Sequence, residues 1–233
     1  MVRGYFITGT DTGVGKTLIA GALAAALRRH GKRIGVMKPC ETGCAVQDGK
    51  LVPSDALFLT SMAGSEEPLE VVCPYRLATP VAPLVAAERE AVQIDLDRIV
   101  KLFHEMQYRY DIVLVEGAGG LLVPLTTTVM NLDLALVLGL PLVVVARLSL
   151  GTINHTLLTE YAARSRGAVI AGIIINQLTP DWSVAEHTNP EVLRRFSQCQ
   201  VIGPLPYLSE PQRSDPKALA DLADAHLIAT LFS

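Results

Sequence analysis

Gly9-Thr10-Asp11-Thr12-Gly13-Val14-Gly15-Lys16-Thr17 follows the apolar run Tyr5-Phe6-Ile7 and precedes an alanine-rich stretch from Leu18 to Leu27. A strand, a glycine-rich turn and a helix in that order make a phosphate-binding loop. Glycine takes positive φ without steric cost, so successive N–H groups converge on phosphate oxygens, and the helix N-terminus adds its positive dipole end. Lys16 then reaches the β- and γ-phosphates, and the Thr17 hydroxyl is a ligand for Mg2+. The common spacing GxxxxGK[ST] would place its first glycine at position 10, which is Thr10; Gly9 stands one residue early. A turn that merely links strand to helix is the competing reading. The context favours a loop that binds a nucleoside triphosphate.

Outward from the loop, apolar β-rich runs alternate with helical patterns. Candidate strands lie at residues 4–8, 33–38, 111–116, 141–146, 169–175 and 201–205. Several are continuous runs of Val, Ile and Leu, as in parallel strands buried on both faces. A shorter run, 71–73, is stopped by Pro74 and reads as an edge element. The helix that opens in the loop ends near His30-Gly31, glycine being a favoured C-cap. Ser54 reads as N-cap of a helix over 55–63. Asp95 reads as N-cap of one over 96–106, with Ile99, Leu102, Phe103 and Met106 as its apolar face. Asn189-Pro190 and Asp215-Pro216 read as two further helix starts, the second helix running to about Leu231. This alternation implies right-handed βαβ units, and so an α/β, three-layer, doubly wound fold on a mostly parallel sheet. With no linker, repeat or low-complexity stretch, one domain spanning 1–233 is expected.

Composition excludes several classes. Half the residues are hydrophobic, which argues against disorder, yet no apolar run approaches the ~20 residues of a membrane span. The longest such run, near 134–146, is broken by Gly139 and Pro141. Met1-Val2-Arg3-Gly4 runs directly into the first strand, so no signal peptide is expected. A net charge of −3 without a basic block argues against nucleic acid as partner. Four cysteines, Cys40, Cys44, Cys73 and Cys199, suggest a reduced, cytoplasmic protein. Cys40 and Cys44 resemble half a metal site, but no matching second pair follows.

In doubly wound folds ligands bind at the carboxyl ends of the strands. After the second strand come Lys38 and Pro39. Proline forces Lys38 into an extended conformation, towards the loop. Lys38 is then either a solvated lysine or a second cation that neutralises a transferring phosphoryl group. Glu116 ends a buried strand and is followed by Gly117-Ala118-Gly119-Gly120, the way such proteins present a carboxylate to Mg2+; a helix cap or ion-pair partner is the alternative. Asp55, in the first turn of its helix, reads locally as a complement to the helix dipole. Asn176 and Gln177 end another strand, where an amide suits a base edge or, alternatively, forms a turn. The segment Ser149 to His155 opens a helix, either as an ordinary cap or as a carboxylate site.

Together these segments resemble the dethiobiotin synthetases, ATP-dependent P-loop ligases of biotin synthesis. The matching pieces are the Gly9–Thr17 loop, Lys38-Pro39, Ser54-Asp55-Ala56, 115–120, 150–155, Asn176 and 203–208, in the family's order and over nearly the whole chain. The resemblance implies an ATP-dependent ligase that captures CO2 on 7,8-diaminononanoate as a carbamate. The carbamate takes the γ-phosphoryl group of MgATP, and the second amine closes the ureido ring as phosphate leaves. It implies Lys38 and Lys16 as catalytic residues. Thr17, Asp55 and Glu116 would hold Mg2+. The nucleotide would be bound by Gly13, Val14, Gly15, Lys16, Thr17, Leu18, Asp55, Glu116, Gly117, Ala118, Gly119, Asn176, Gln177, Pro206, Tyr207 and Leu208. Thr12, Thr42, Gly151, Thr152 and Asn154 would bind the diamine, the last three across a homodimer interface. Departures are the missing acid that some members carry at Gly13, a poorly matching 182–190 loop, and no aromatic residue where one is expected near His187.

Two related readings stand beside it. The synthetase part of a cobyrinic acid amidation enzyme has a similar loop but carries a glutaminase domain, for which this sequence leaves no space. A ParA/MinD-like switch ATPase would show Lys-Gly-Gly early in the loop, where Thr8-Gly9-Thr10 stand here.

Overall fold

A computed structural model describes residues 4–232; Met1–Arg3, read above as excluding a signal peptide, and Ser233 lie outside the described residues. The chain runs β1 (Gly4–Gly9), α1 (Lys16–Arg29), β2 (Ile34–Met37), β3 (Cys40–Thr42), β4 (Ala45–Gln47), β5 (Lys50–Val52), α2 (Ser54–Ala63), α3 (Leu69–Val72), β6 (Tyr75–Leu77), α4 (Pro83–Arg89) and α5 (Leu96–Arg109). It continues with β7 (Ile112–Gly120), α6 (Asn131–Val137), β8 (Leu142–Arg147), α7 (Thr152–Ser165), β9 (Ile170–Asn176), α8 (Val184–Phe196), β10 (Val201–Leu205), α9 (Glu210–Arg213), α10 (Pro216–His226) and α11 (Ile228–Leu231).

Six strands form one parallel sheet in the order β10-β9-β8-β1-β7-β2. Its residues alternate between two cores. Along β8, Val143 and Val145 face a layer built from α1, α2 and α10, where Ile19, Leu23, Leu59 and Leu219 pack. Leu142 and Val144 face the opposite layer, with Ile99, Phe103 and Met106 of α5 and Leu132 of α6. Because both faces are covered, the strands read as continuous apolar runs. This is the doubly wound, three-layer architecture expected from the sequence. β1 lies between β7 and β8, so the chain departs from it in both directions and leaves a crevice at its carboxyl end.

Several local expectations are corrected. Residues 71–73 are not an edge strand: Leu69–Val72 is a helical turn, and the short strand follows Pro74 as β6, paired with β3. Pro74 cannot donate to a ladder and so comes before the strand. Asn189-Pro190 does not open a helix but lies inside α8. The start is Ser183, whose hydroxyl accepts from Ala185 N–H while Glu186 accepts from Ser183 N–H, a reciprocal cap that outweighs the Asn-Pro signal. The 182–190 segment is therefore mostly helical. The C-terminal helix breaks at Leu227 into α10 and α11. Asp95 and Asp215 cap α5 and α10 as expected, and Gly31 takes φ +76 after α1.

Candidate active site

The crevice beside β1 gathers segments that are far apart in sequence. Thr12, Gly13, Gly15, Lys16, Thr17, Leu18, Lys38, Thr42, Asp55, Glu116, Ala118 and Gly119 line one cavity of about 410 Å3. Gly15 caps α1 at φ 97°, ψ 25° in the left-handed region, and a Cβ there would meet Asn176 Nδ2 at 2.2 Å. Lys16 is buried and its Nζ donates to the Asp11 carbonyl at 3.0 Å. Burial lowers the pKa of Lys16, partly offset by the negative charge of Glu116.

Lys38 sits between two acids. Its Nζ donates to Glu116 Oε1 at 2.5 Å and to Asp55 Oδ2 at 2.8 Å. The Lys38 side chain is 5% exposed and that of Glu116 1%, so the solvated reading of Lys38 does not hold. Desolvation pulls the Lys38 pKa down, but the charges of Glu116 and Asp55 outweigh it and hold the amine above its ordinary range. Thr17 Oγ1 donates to the same Glu116 Oε1 at 2.9 Å. Glu116 is thus an ion-pair partner as well as a member of this cluster.

Glu116 Oε2 is buried and has no hydrogen-bond partner among the described residues. An orphaned buried carboxylate oxygen beside Thr17 and Asp55 makes an oxygen-only donor set, the kind Mg2+ prefers. Among the described residues no group of three or more His, Cys, Asp or Glu is placed to hold a metal. Two carboxylates, a hydroxyl and nucleotide phosphates suit Mg2+, which rarely takes an all-protein cage.

The residues that the resemblance assigns to adenine lie at the far edge of the phosphate loop. Asn176 Nδ2 donates to the Val14 carbonyl at 3.0 Å, so one amide hydrogen anchors the loop and the turn-forming reading fails. Gln177 Nε2 donates to the Thr179 carbonyl. Pro206, Tyr207 and Leu208 follow β10. Arg213 ties both walls together: its Nε donates to the Leu208 carbonyl, its Nη2 to the Leu178 carbonyl, and its guanidinium lies over the Tyr207 ring. Asn131 Nδ2 donates to the Ala118 and Gly120 carbonyls and so holds the glycine-rich end of β7.

Gly151, Thr152 and Asn154 do not line this cavity. Gly151 caps α7 and Asn154 is exposed, whereas Thr152 is buried, its N–H on the Ser149 carbonyl and its hydroxyl beside Thr156. Trp182 and His187 lie with ring centroids 5.0 Å apart and planes tilted by 33°.

Sequence reading passed over Glu41, Asn131, Arg147 and Arg213. Glu41 accepts from the N–H groups of Asp55 and Ala56, both at 3.0 Å, and from Ser54 Oγ. It, not Ser54, caps α2, since Ser54 is the first helical residue and follows Pro53, which has no side-chain acceptor. Burial raises the Glu41 pKa, opposed by those two N–H groups. Arg147 ends β8 with Nη1 3.6 Å from Asp11 Oδ2. The one available signal was a helix starting after proline without its own cap. A larger cleft of about 1530 Å3, around Arg76 and Arg98, shares no residue with the loop cavity and holds no such cluster.

A family model described as an AAA domain matches residues 3–214. The ATP-dependent dethiobiotin synthetase BioD of Thermodesulfovibrio yellowstonii is 44% identical over 218 residues, covering 90% of this chain and 91% of that protein. That of Nitrosospira multiformis is 39% identical over 223 residues, covering 96% of each. In fold, the chain is similar to the septum site-determining protein MinD of Pyrococcus horikoshii, complexed with Mg-ADP. The TM-score is 0.59 at 17% identity, covering 97% of this chain and 96% of that one.

Proposed function

The chain belongs to the ATP-dependent dethiobiotin synthetases and is an ATP-dependent ligase forming a C–N bond, and we propose that its residues divide the work as follows. Its substrates are 7,8-diaminononanoate, CO2 and ATP. One amine is carboxylated, the carbamate oxygen takes the γ-phosphoryl group, and the second amine attacks the carbonyl carbon to close the ureido ring, releasing ADP and phosphate. The observation that carries this reading is Lys38, a cation buried between Asp55 and Glu116 at the mouth of the phosphate loop.

Such a reaction needs positioning and charge neutralisation rather than a covalent nucleophile. Gly13, Val14 and Gly15 present N–H groups to the phosphates, with Lys16 on the β- and γ-oxygens. Lys38 holds the carbamate against the transferring phosphoryl group, and Thr12 and Thr42 flank the diamine nitrogens. Thr17, Asp55 and Glu116 would hold Mg2+, which would supply charge neutralisation to the nucleotide phosphates. Gly117, Ala118 and Gly119 bring backbone close to the nucleotide. Asn176, Gln177, Pro206, Tyr207 and Leu208 frame the adenine beside Leu18. Gly151, Thr152 and Asn154 offer the α7 N-terminus to the substrate carboxylate across a homodimer interface. Supporting that interface, Leu150, Leu158 and Tyr161 around α7 are 80%, 57% and 73% exposed. We place this one-domain enzyme in the cytoplasm, with no nucleic acid or membrane partner. Its four cysteines are free, and no helix among the described residues is long and apolar enough to cross a membrane.

The test is phosphate release from MgATP and bicarbonate, with and without 7,8-diaminononanoate, and the mass of the organic product. Diamine-dependent release with a cyclic urea product is expected. Diamine-independent hydrolysis, stimulated instead by DNA or lipid, would favour a switch ATPase.

A further inference from the structure

We infer that Glu41 is a positioning residue for the metal-binding carboxylate of Asp55, an inference that rests on the ligand role proposed for Asp55. Helix α2 begins without a cap of its own: Pro53 precedes it and supplies no side-chain acceptor. Its first N–H groups are satisfied from another element. Glu41 reaches across from β3 with one oxygen on Asp55 N–H and the other on Ala56 N–H, each at 3.0 Å. A carboxylate that binds two successive N–H groups fixes the helix end in position and in rotation, because both oxygens are committed at once.

The rotation sets where Asp55 points. Its carboxylate leaves the same turn and meets Lys38 Nζ at 2.8 Å. Lys38 stands three residues before Glu41 on the same segment, so the two contacts close a small loop of constraints between β3 and α2. Glu41 itself is 5% exposed and lines the same cavity. A Coulombic account of that placement is poor, since a third acid beside Asp55 and Glu116 adds repulsion; the two N–H bonds give the reason for it. Groups that orient a metal ligand without touching the metal commonly control affinity about 10- to 100-fold.

The experiment measures Mn2+ binding to the enzyme with ADP by electron paramagnetic resonance, for wild type, Glu41→Gln and Asp55→Asn, with thermal melts alongside. Glutamine keeps the size but turns an N–H donor towards one of the two helix N–H groups. The expected result is a Kd for Mn2+ raised about tenfold in Glu41→Gln, with metal-free nucleotide affinity little changed. Wild-type Mn2+ affinity in Glu41→Gln, whatever its melting temperature, would overturn the inference and leave Glu41 a plain helix cap. Should Glu41→Gln not fold, Glu41→Asp, which withdraws the charge by one methylene, reads the same affinity with the same two outcomes. Mn2+ binding unchanged in Asp55→Asn would instead refute the ligand role of Asp55. The measurement needs no diamine, so it stands apart from whether the ligase reaction is seen.

Discussion

The ammonium of Lys38 has lost nearly all its solvent and gained two carboxylates, one of them equally buried. In such a site the desolvation cost rivals the attraction, so the cluster is weak evidence for stability and stronger evidence for function. Lys16 differs: burial lowers its pKa and its one hydrogen bond goes to a loop carbonyl. Lys16→Ala is expected to abolish phosphoryl transfer, since the β/γ charge loses its partner; comparable turnover would remove the phosphate-loop assignment. Glu116→Gln is expected to weaken Mg2+ binding more than nucleotide binding, because Oε2 makes no hydrogen bond among the described residues and its charge is left for the ion. Equal Mg2+ titrations of variant and wild type would contradict that. Neither effect is visible in a window of neighbouring residues. Glu116 closes the apolar part of β7, which runs on through glycines to Gly120, and that pattern suggests a carboxylate site, but its contacts with Thr17 and Lys38 span 99 and 78 residues.

At the scale of elements, the phosphate loop owes its shape to glycines in the left-handed region. Gly13 has φ +74 and open space where a Cβ would sit, whereas Gly15 has φ +97 and Asn176 at 2.2 Å. Gly15→Ala is therefore expected to break the Asn176–Val14 bond, raise the KM for ATP and lower stability by more than the ~1–2 kcal/mol of left-handed strain alone. Gly13→Ala carries only the strain, and a larger loss there than at Gly15 would count against the argument. Asp95 accepts from Asp97 N–H at 2.9 Å and Arg98 N–H at 3.3 Å. Its replacement by Ala is expected to cost about 1 kcal/mol, read as a shift in the urea midpoint. Caps made within four residues, such as Asp95 and Asp215, were legible because donor and acceptor are sequence neighbours. The cap of α2 was not, because Glu41 belongs to a strand 14 residues earlier than Asp55.

Across the whole molecule, two apolar layers enclose the sheet, and three of the cysteines are buried, of which Cys40 lines the loop cavity. Burial pushes the Cys40 thiol up to about 12 and the Cys44 thiol up to about 11, from 9.0 in each case. The folded state therefore keeps protons that the unfolded state releases above about pH 9, and stability falls as pH rises through that window. Urea midpoints at pH 8 and 10 are expected to differ more for wild type than for Cys40→Ala. An equal decline in both would show that other groups control alkaline unfolding. Under physiological conditions the same shift keeps these thiols protonated and slow to react.

The sequence alone determined the phosphate loop, the alternation of strands and helices, and so the parallel three-layer fold. Those follow from φ preferences, capping and hydrophobic periodicity, which act over a few residues. Only the tertiary structure decided that Lys38, Asp55 and Glu116 form one charged cluster, that Glu41 caps a distant helix and that Arg213 ties the loops at Leu178 and Leu208 together. These depend on strand order, which places β1 between β7 and β8 and brings their carboxyl ends to one crevice. Long-range contacts arise from the packing of whole elements, and no local propensity encodes them.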